Sequence, residues 1–174
     1  MNIVKTPIKD LFVIELEPKV DERGYFVRNF CQDELKKAGI AFDIVQANQS
    51  LTKKEGVIRG MHFQTEPKED GKIVQCLAGK VYDVVVDLRK HSPTYKKWFG
   101  IELCGDNNKM LLIPKGFAHG LQTLTADCLM QYFMSEFYAP AYYKGARFDD
   151  PAFGITWPRT ATYISEQDLS WPLL

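Results

Sequence analysis

No two cysteines of this chain stand close enough to form a Cys-x-x-Cys pair. Cys31, Cys76, Cys104 and Cys128 are dispersed, which excludes a zinc ribbon or a thioredoxin-like motif. Each lies beside apolar residues, so buried free thiols are expected, in keeping with a reducing cytoplasm. The chain has no excess of either charge: 22 Lys plus Arg balance 22 Asp plus Glu. A nucleic-acid or membrane-surface binder usually carries a basic surplus, so neither partner is expected. The apolar runs fall far short of the ~18 residues that cross a bilayer. Met1–Pro7 has no apolar core of the signal-peptide kind. Internal repeats and low-complexity segments are absent as well.

What is there is an ordinary globular composition. Hydrophobic residues make up 45% and charged residues 25% of 174, which is enough chain for a buried core and suggests one domain over 1–174. Strand-like segments follow one another: Leu11–Leu16, Tyr25–Phe30, Phe42–Ser50, Lys72–Leu77, Val81–Leu88, Trp98–Leu103, Met110–Ile113 and Cys128–Tyr138. Glycine, proline, asparagine and aspartate separate them. The apolar run within Val81–Leu88 predicts burial on both faces. Gln32–Ala38 is a short helix candidate with Gly39 as its C′ residue. The segment from Tyr142 to Leu174 is expected to wrap the body as loops and short helical turns. With no βαβ alternation, the pattern is all-β, and a cupin-like jelly roll with a few short peripheral helices fits it.

The stretch Arg59-Gly60-Met61-His62-Phe63-Gln64 is the densest in chemistry. On a regular strand, Arg59, Met61 and Phe63 share one face, and Gly60, His62 and Gln64 the other. Arg59 and His62 serve one site only if the chain bends or bulges at Gly60, which has no Cβ to resist it.

His62, Lys72, His119 and Tyr132 recur next to strands, and Asp168 stands in Ser165-Glu166-Gln167-Asp168. Alone, each has a plain structural explanation: a satisfied core histidine, a solvated lysine after a turn, a locally bonded histidine, a packed strand tyrosine, a turn-capping aspartate. As a set they suit proton transfer beside a carbonyl. A carboxylate-backed imidazole is a general base, a lysine steadies an enolate, and a tyrosine returns a proton from the opposite side.

The sequence resembles the dTDP-4-dehydrorhamnose 3,5-epimerase family over nearly its whole length. The marks are Asp21-Glu22-Arg23-Gly24, Arg59–Gln64, Val84-Val85-Val86-Asp87-Leu88-Arg89, Ser92-Pro93-Thr94-Tyr95, Ile113–Gly120, Phe137-Tyr138-Ala139-Pro140, Asp149–Ile155 and the end Ser165–Leu174. The resemblance implies a cupin-like jelly roll and a homodimer with exchanged N-terminal strands. It also implies a cofactor-free, metal-free isomerase of carbohydrate biosynthesis acting on a nucleotide-linked 4-keto-6-deoxyhexose. His62 matches the base, Asp168 its carboxylate, Tyr132 the acid, and Lys72 the residue at the keto oxygen. Arg23, Arg59, Gln46, Asn48 and His119 match substrate-binding positions, and Tyr138 an aromatic near the nucleotide. Three binding positions depart from the family: Arg28 and Tyr143 stand where it has glutamate, and Gln167 where it has lysine. These departures leave open the nucleotide, the sugar and whether carbon 3 alone is inverted. A cofactor-free 3,4-ketoisomerase needs similar groups, and a non-catalytic sugar-nucleotide binder needs no acid and base. A metal-dependent cupin is poorly furnished, because Phe63-Gln64 follows His62 where an H-x-H motif and a later glutamate are required.

Overall fold

A computed structural model describes residues 1–174. The strands are β1 (Asn2–Lys5), β2 (Phe12–Glu15), β3 (Lys19–Asp21) and β4 (Gly24–Phe26), followed by helix α1 (Gln32–Lys37). Then come β5 (Gln46–Thr52), β6 (Ile58–Gln64), β7 (Lys72–Ala78), β8 (Lys80–Asp87), β9 (Trp98–Cys104), β10 (Lys109–Ile113), β11 (Phe117–Thr123), β12 (Cys128–Met134) and β13 (Tyr143–Gly145), with helix α2 (Glu166–Ser170) near the end. One sheet has the order β1-β2-β10-β7-β12-β5, the other β13-β6-β11-β8-β9, and β3 pairs with β4 alone. The ladders within these sheets are antiparallel. The fold is all-β and cupin-like.

Period-two alternation builds the core between the sheets. Val74 and Cys76 of β7, Leu111 and Ile113 of β10, and Cys128 and Met130 of β12 meet Val81 and Val85 of β8 and Phe117 and Leu121 of β11. The outer faces are covered too. Leu35 of α1 and Phe42 pack with Ile73, Met110 and Leu112 on one side. Ala146 and Phe153 pack with Met61, Val84, Val86 and Ala118 on the other. Double coverage is why Val84, Val85 and Val86 are all fully buried, as the apolar run predicts.

Some boundaries differ from those expected. The strand expected over Tyr25–Phe30 stops at Phe26; Val27 and Phe30 instead turn inward against the outer cluster beneath α1. The strand expected from Phe42 begins at Gln46, since Phe42 is an anchor in that same cluster. β1, β3, β11 and β13 form in segments not marked as strands by composition. α1 has the expected place, with Gly39 following its C-cap Ala38 at φ 78°.

Candidate active site

The alternation that fills the core also builds the cavity beside it. Along β12, Cys128 and Met130 enter the core, and Tyr132 and Met134, in phase with them, line an adjoining cavity of about 1010 Å³. On β7, Lys72 is in phase with Val74 and Cys76 and turns into the same cavity. On β11, His119 lies between Phe117 and Leu121 on the inward face. The volume stands at the top of the range for small-molecule sites.

β6 needs the irregularity expected at Gly60. His62 faces His119 and Arg59 faces Leu121 across the β6–β11 ladder, with a register shift between. His119 and Leu121 share a face, so their partners do as well, although Arg59 and His62 are three residues apart. Gly120 alone opposes Gly60 and Met61, the mark of a bulge. Gly60 has φ 122°, and a Cβ there would stand 2.5 Å from the Gly120 Cα and 2.8 Å from the His119 carbonyl oxygen. Arg59 and His62 therefore both border the cavity.

His62 Nε2 stands 2.6 Å from Asp168 Oδ1. With Asp168 ionised, this bond holds the proton on Nε2 and leaves the Nδ1 lone pair free as a base. Asp168 is 4% exposed and comes from α2, whose N-cap Ser165 accepts from the Asp168 N–H at 3.1 Å. The Gly60 N–H donates to Asp168 Oδ2 at 3.2 Å, and Trp171 Nε1–H to Oδ1 at 3.4 Å. Burial pushes the Asp168 carboxyl up, but the bonds from His62 and Gly60 and at Ser165 outweigh it and hold it below its usual range.

Lys72, 7% exposed, sets its Nζ 3.3 Å from Asp70 Oδ2 and donates to the His62 carbonyl at 3.4 Å. It is not the solvated lysine its position after a turn suggests. His119 Nε2–H lies 2.9 Å and 3.0 Å from the two oxygens of fully buried Asp83. Tyr132 stands edge-on to His119, ring centroids 6.3 Å apart, and its hydroxyl meets Ser50 Oγ at 3.0 Å. Burial pushes the Tyr132 phenol up to about 12, so it is a proton carrier at neutral pH. Arg59 Nε–H donates to Thr52 Oγ1 at 2.8 Å.

Tyr143 leans on His62 with centroids 5.3 Å apart, flanked by Tyr138 at 5.6 Å and Trp171 at 5.9 Å. Gly145 makes room for this wall: a Cβ there would collide with the Trp171 indole. Gln46, Asn48, Tyr138, Tyr143 and Gln167 also line the cavity, Gln46 Nε2–H donating to Asn48 Oδ1 at 3.1 Å.

Of the residues singled out from the sequence, Arg23 and Arg28 do not border the cavity. Arg23 pairs with Asp21 on the β3–β4 turn, its side chain 84% exposed, and Arg28 pairs with Glu34. Asp83, Asp70, Ser50 and Trp171 are site groups that sequence reasoning passed over. Asp83 did leave a signal: a carboxylate inside a buried, largely apolar strand needs a partner. No three His, Cys, Asp or Glu side chains gather as a metal-binding group.

A cupin-like sandwich with a carboxylate-backed imidazole on one sheet, and a phenol and a buried lysine on the other, is the frame of an acid–base isomerase. The comparisons make this specific: residues 5–174 match the family described as dTDP-4-dehydrorhamnose 3,5-epimerase, and the chain belongs to that family. It is 42% identical over 173 residues to the dTDP-4-dehydrorhamnose 3,5-epimerase of Methanothermobacter thermautotrophicus, covering 98% of this chain and 92% of that one. The Bacillus anthracis dTDP-4-dehydrorhamnose 3,5-epimerase, solved with TDP and PPi bound, superposes with a TM-score of 0.96 at 39% identity, covering 99% of each chain. The Legionella pneumophila dTDP-6-deoxy-D-glucose-3,5-epimerase, solved with dTDP-4-keto-L-rhamnose, superposes at 0.92 with 38% identity, covering 98% of this chain and 90% of that one.

Proposed function

We propose that this chain inverts carbons 3 and 5 of a dTDP-linked 4-keto-6-deoxyhexose by removing a proton on one face and returning one on the other, with no cofactor. The observation that carries this reading is the placement of His62 and Tyr132 on facing sheets of one cavity. His62 Nδ1 takes the proton from the carbon beside the keto group. Asp168 holds the ring and balances the imidazolium. Lys72 stabilises the charge on the enolate oxygen. Tyr132 delivers its proton to the opposite face of the same carbon. A positioned acid or base supplies on the order of 10²–10⁴ in rate, and charge placed in advance at the enolate supplies more.

Arg59 and His119, held by Thr52 and Asp83, are binding groups in this reading, with Arg59 on the diphosphate. Gln46, Asn48, Tyr138, Tyr143 and Gln167 complete the shell around the nucleotide and the hexose. The remaining arginines imply a second subunit. β3–β4 pairs with no other strand and exposes Val20, Tyr25 and Phe26 at 78%, 66% and 69%, while β5, which lines the cavity, is a sheet edge. An exposed edge and an apolar hairpin suit strand addition between copies. In the homodimer we propose, the hairpins exchange, and Arg23 of the partner subunit reaches the diphosphate, with Arg28 of the partner subunit beside the nucleotide. The chain acts as one catalytic domain, and its dispersed thiols suit the cytoplasm.

Incubation with dTDP-4-keto-6-deoxyglucose in deuterated water, followed by proton NMR, tests the reading. Deuterium at carbons 3 and 5 with inverted configuration is expected. Label at carbon 3 alone would make it a 3-epimerase, a moved keto group a ketoisomerase, and no reaction would end the proposal.

A further inference from the structure

Inverting two carbons in one binding event requires Tyr132 to recover its proton while the substrate still fills the cavity. The Tyr132 hydroxyl has one hydrogen-bond partner in the protein, Ser50 Oγ at 3.0 Å. Ser50 has no other side-chain hydrogen bond and is partly exposed to the cavity. Tyr132 itself is packed against the core between the sheets. A path from water to the phenol oxygen thus runs over the serine hydroxyl.

We propose that Ser50 is the proton-return relay of Tyr132, recharging the acid between the first inversion and the second. The proposal rests on the epimerase reading above. In the first inversion, the C–H bond breaks and its proton goes to His62, leaving the electron pair as an enolate. The enolate carbon then takes the phenolic proton, which leaves Tyr132 as a tyrosinate. The tyrosinate draws the proton of Ser50 Oγ–H, and Ser50 takes one from a cavity water. The hydroxide so formed is neutralised by the proton that His62 releases, and the site returns to its starting charge. Ser50 and the water only hand the proton on; an imidazolium is a far stronger acid than a phenol, so the net transfer to the tyrosinate, whose basicity burial raises, is downhill.

Ser50→Ala and Ser50→Thr, followed by rapid quench and NMR with dTDP-4-keto-6-deoxyglucose in deuterated water, test the relay. In Ser50→Ala, a burst of one inverted carbon per active site at near wild-type rate is expected. A steady state slower on the order of tenfold should follow, with singly inverted product exceeding doubly inverted. Ser50→Thr keeps a hydroxyl and should restore the wild-type pattern. A steady-state rate and product ratio unchanged in Ser50→Ala would overturn the relay. So would a first inversion slowed as much as the later ones, which would make Ser50 only a support for the Tyr132 ring. Absence of deuterium uptake by the wild-type protein would instead remove the epimerase reading itself.

Discussion

Asp168 is the hydrogen-bond partner of His62 Nε2 and, in the proposed mechanism, sets its tautomer. It is buried, it receives hydrogen bonds from His62, Gly60 and Trp171, and its own N–H is tied to Ser165. Asp168→Asn keeps the shape but offers an amide N–H that can donate to His62 Nε2, leaving the ring proton on Nδ1 and no lone pair there to act as the base. Turnover should fall on the order of 10²–10⁴ with KM little changed, read from steady-state kinetics. A kcat within a few-fold of wild type would mean that His62 works without its carboxylate. Asp87 affects stability instead. Its carboxyl is fully buried; burial alone would push it up, but Arg89, Ser92 and Thr94 together draw it down to about 2. Because the folded value lies below the unfolded one, its contribution of about 2 kcal/mol is complete above pH ~4 and fades as the pH falls toward 2. Urea melts at pH 6 and pH 3 should show this loss in the wild type, and a smaller one in Asp87→Asn. Equal losses in the two would place the acid sensitivity elsewhere.

At the scale of elements, β6 is the critical piece. Its bulge could be anticipated from six residues, since an arginine and a histidine three apart share a strand face only if one residue is extra, and glycine is where a chain yields. Gly60→Ala adds a Cβ against Gly120 and His119 in a backbone region that side chains avoid. Unfolding free energy should drop on the order of 3 kcal/mol, and activity should fall with it as Arg59 and His62 separate. A loss under about 0.5 kcal/mol would match an ordinary surface change and would argue against the strain. Other elements could not be read in advance. β11 is buried throughout, so Phe117–Thr123 has no alternation of polar and apolar residues to mark it. β13 is three residues that pair because Gly145 and Tyr143 close the wall beside His62. Phe42 looked like the start of a strand and is an anchor of the outer cluster, a choice that α1 makes and local propensity does not.

For the whole molecule, the double sheet was legible from the spacing of strands and turns, and the acid–base set from its residue types. Composition could not show that His62 and Tyr132 converge, because their separation along the chain says nothing of which sheet each joins. Nor could it show what each group is bonded to: Asp70 is hidden in a polar loop and Ser50 in an unremarkable strand. Arg23 and Arg28 show the limit of one chain, since both stand outside the cavity. The dimer proposed to bring them in is testable through the exposed hairpin. Light scattering of the wild type should give twice the 20.0 kDa chain mass. Phe26→Asp should shift the protein toward monomer and raise KM for the nucleotide sugar. A wild type that scatters as a monomer at full activity would leave Arg23 and Arg28 without the role assigned to them.

In the proposed mechanism, a base and an acid reach one hexose from opposite sides. The most direct test is solvent deuterium uptake into dTDP-4-keto-6-deoxyglucose by His62→Asn and Tyr132→Phe, each set against the wild type. His62→Asn should exchange no ring hydrogen, because no base remains, whereas Tyr132→Phe should still exchange while forming little inverted sugar. Wild-type exchange by His62→Asn, or full inversion by Tyr132→Phe, would contradict the assignment.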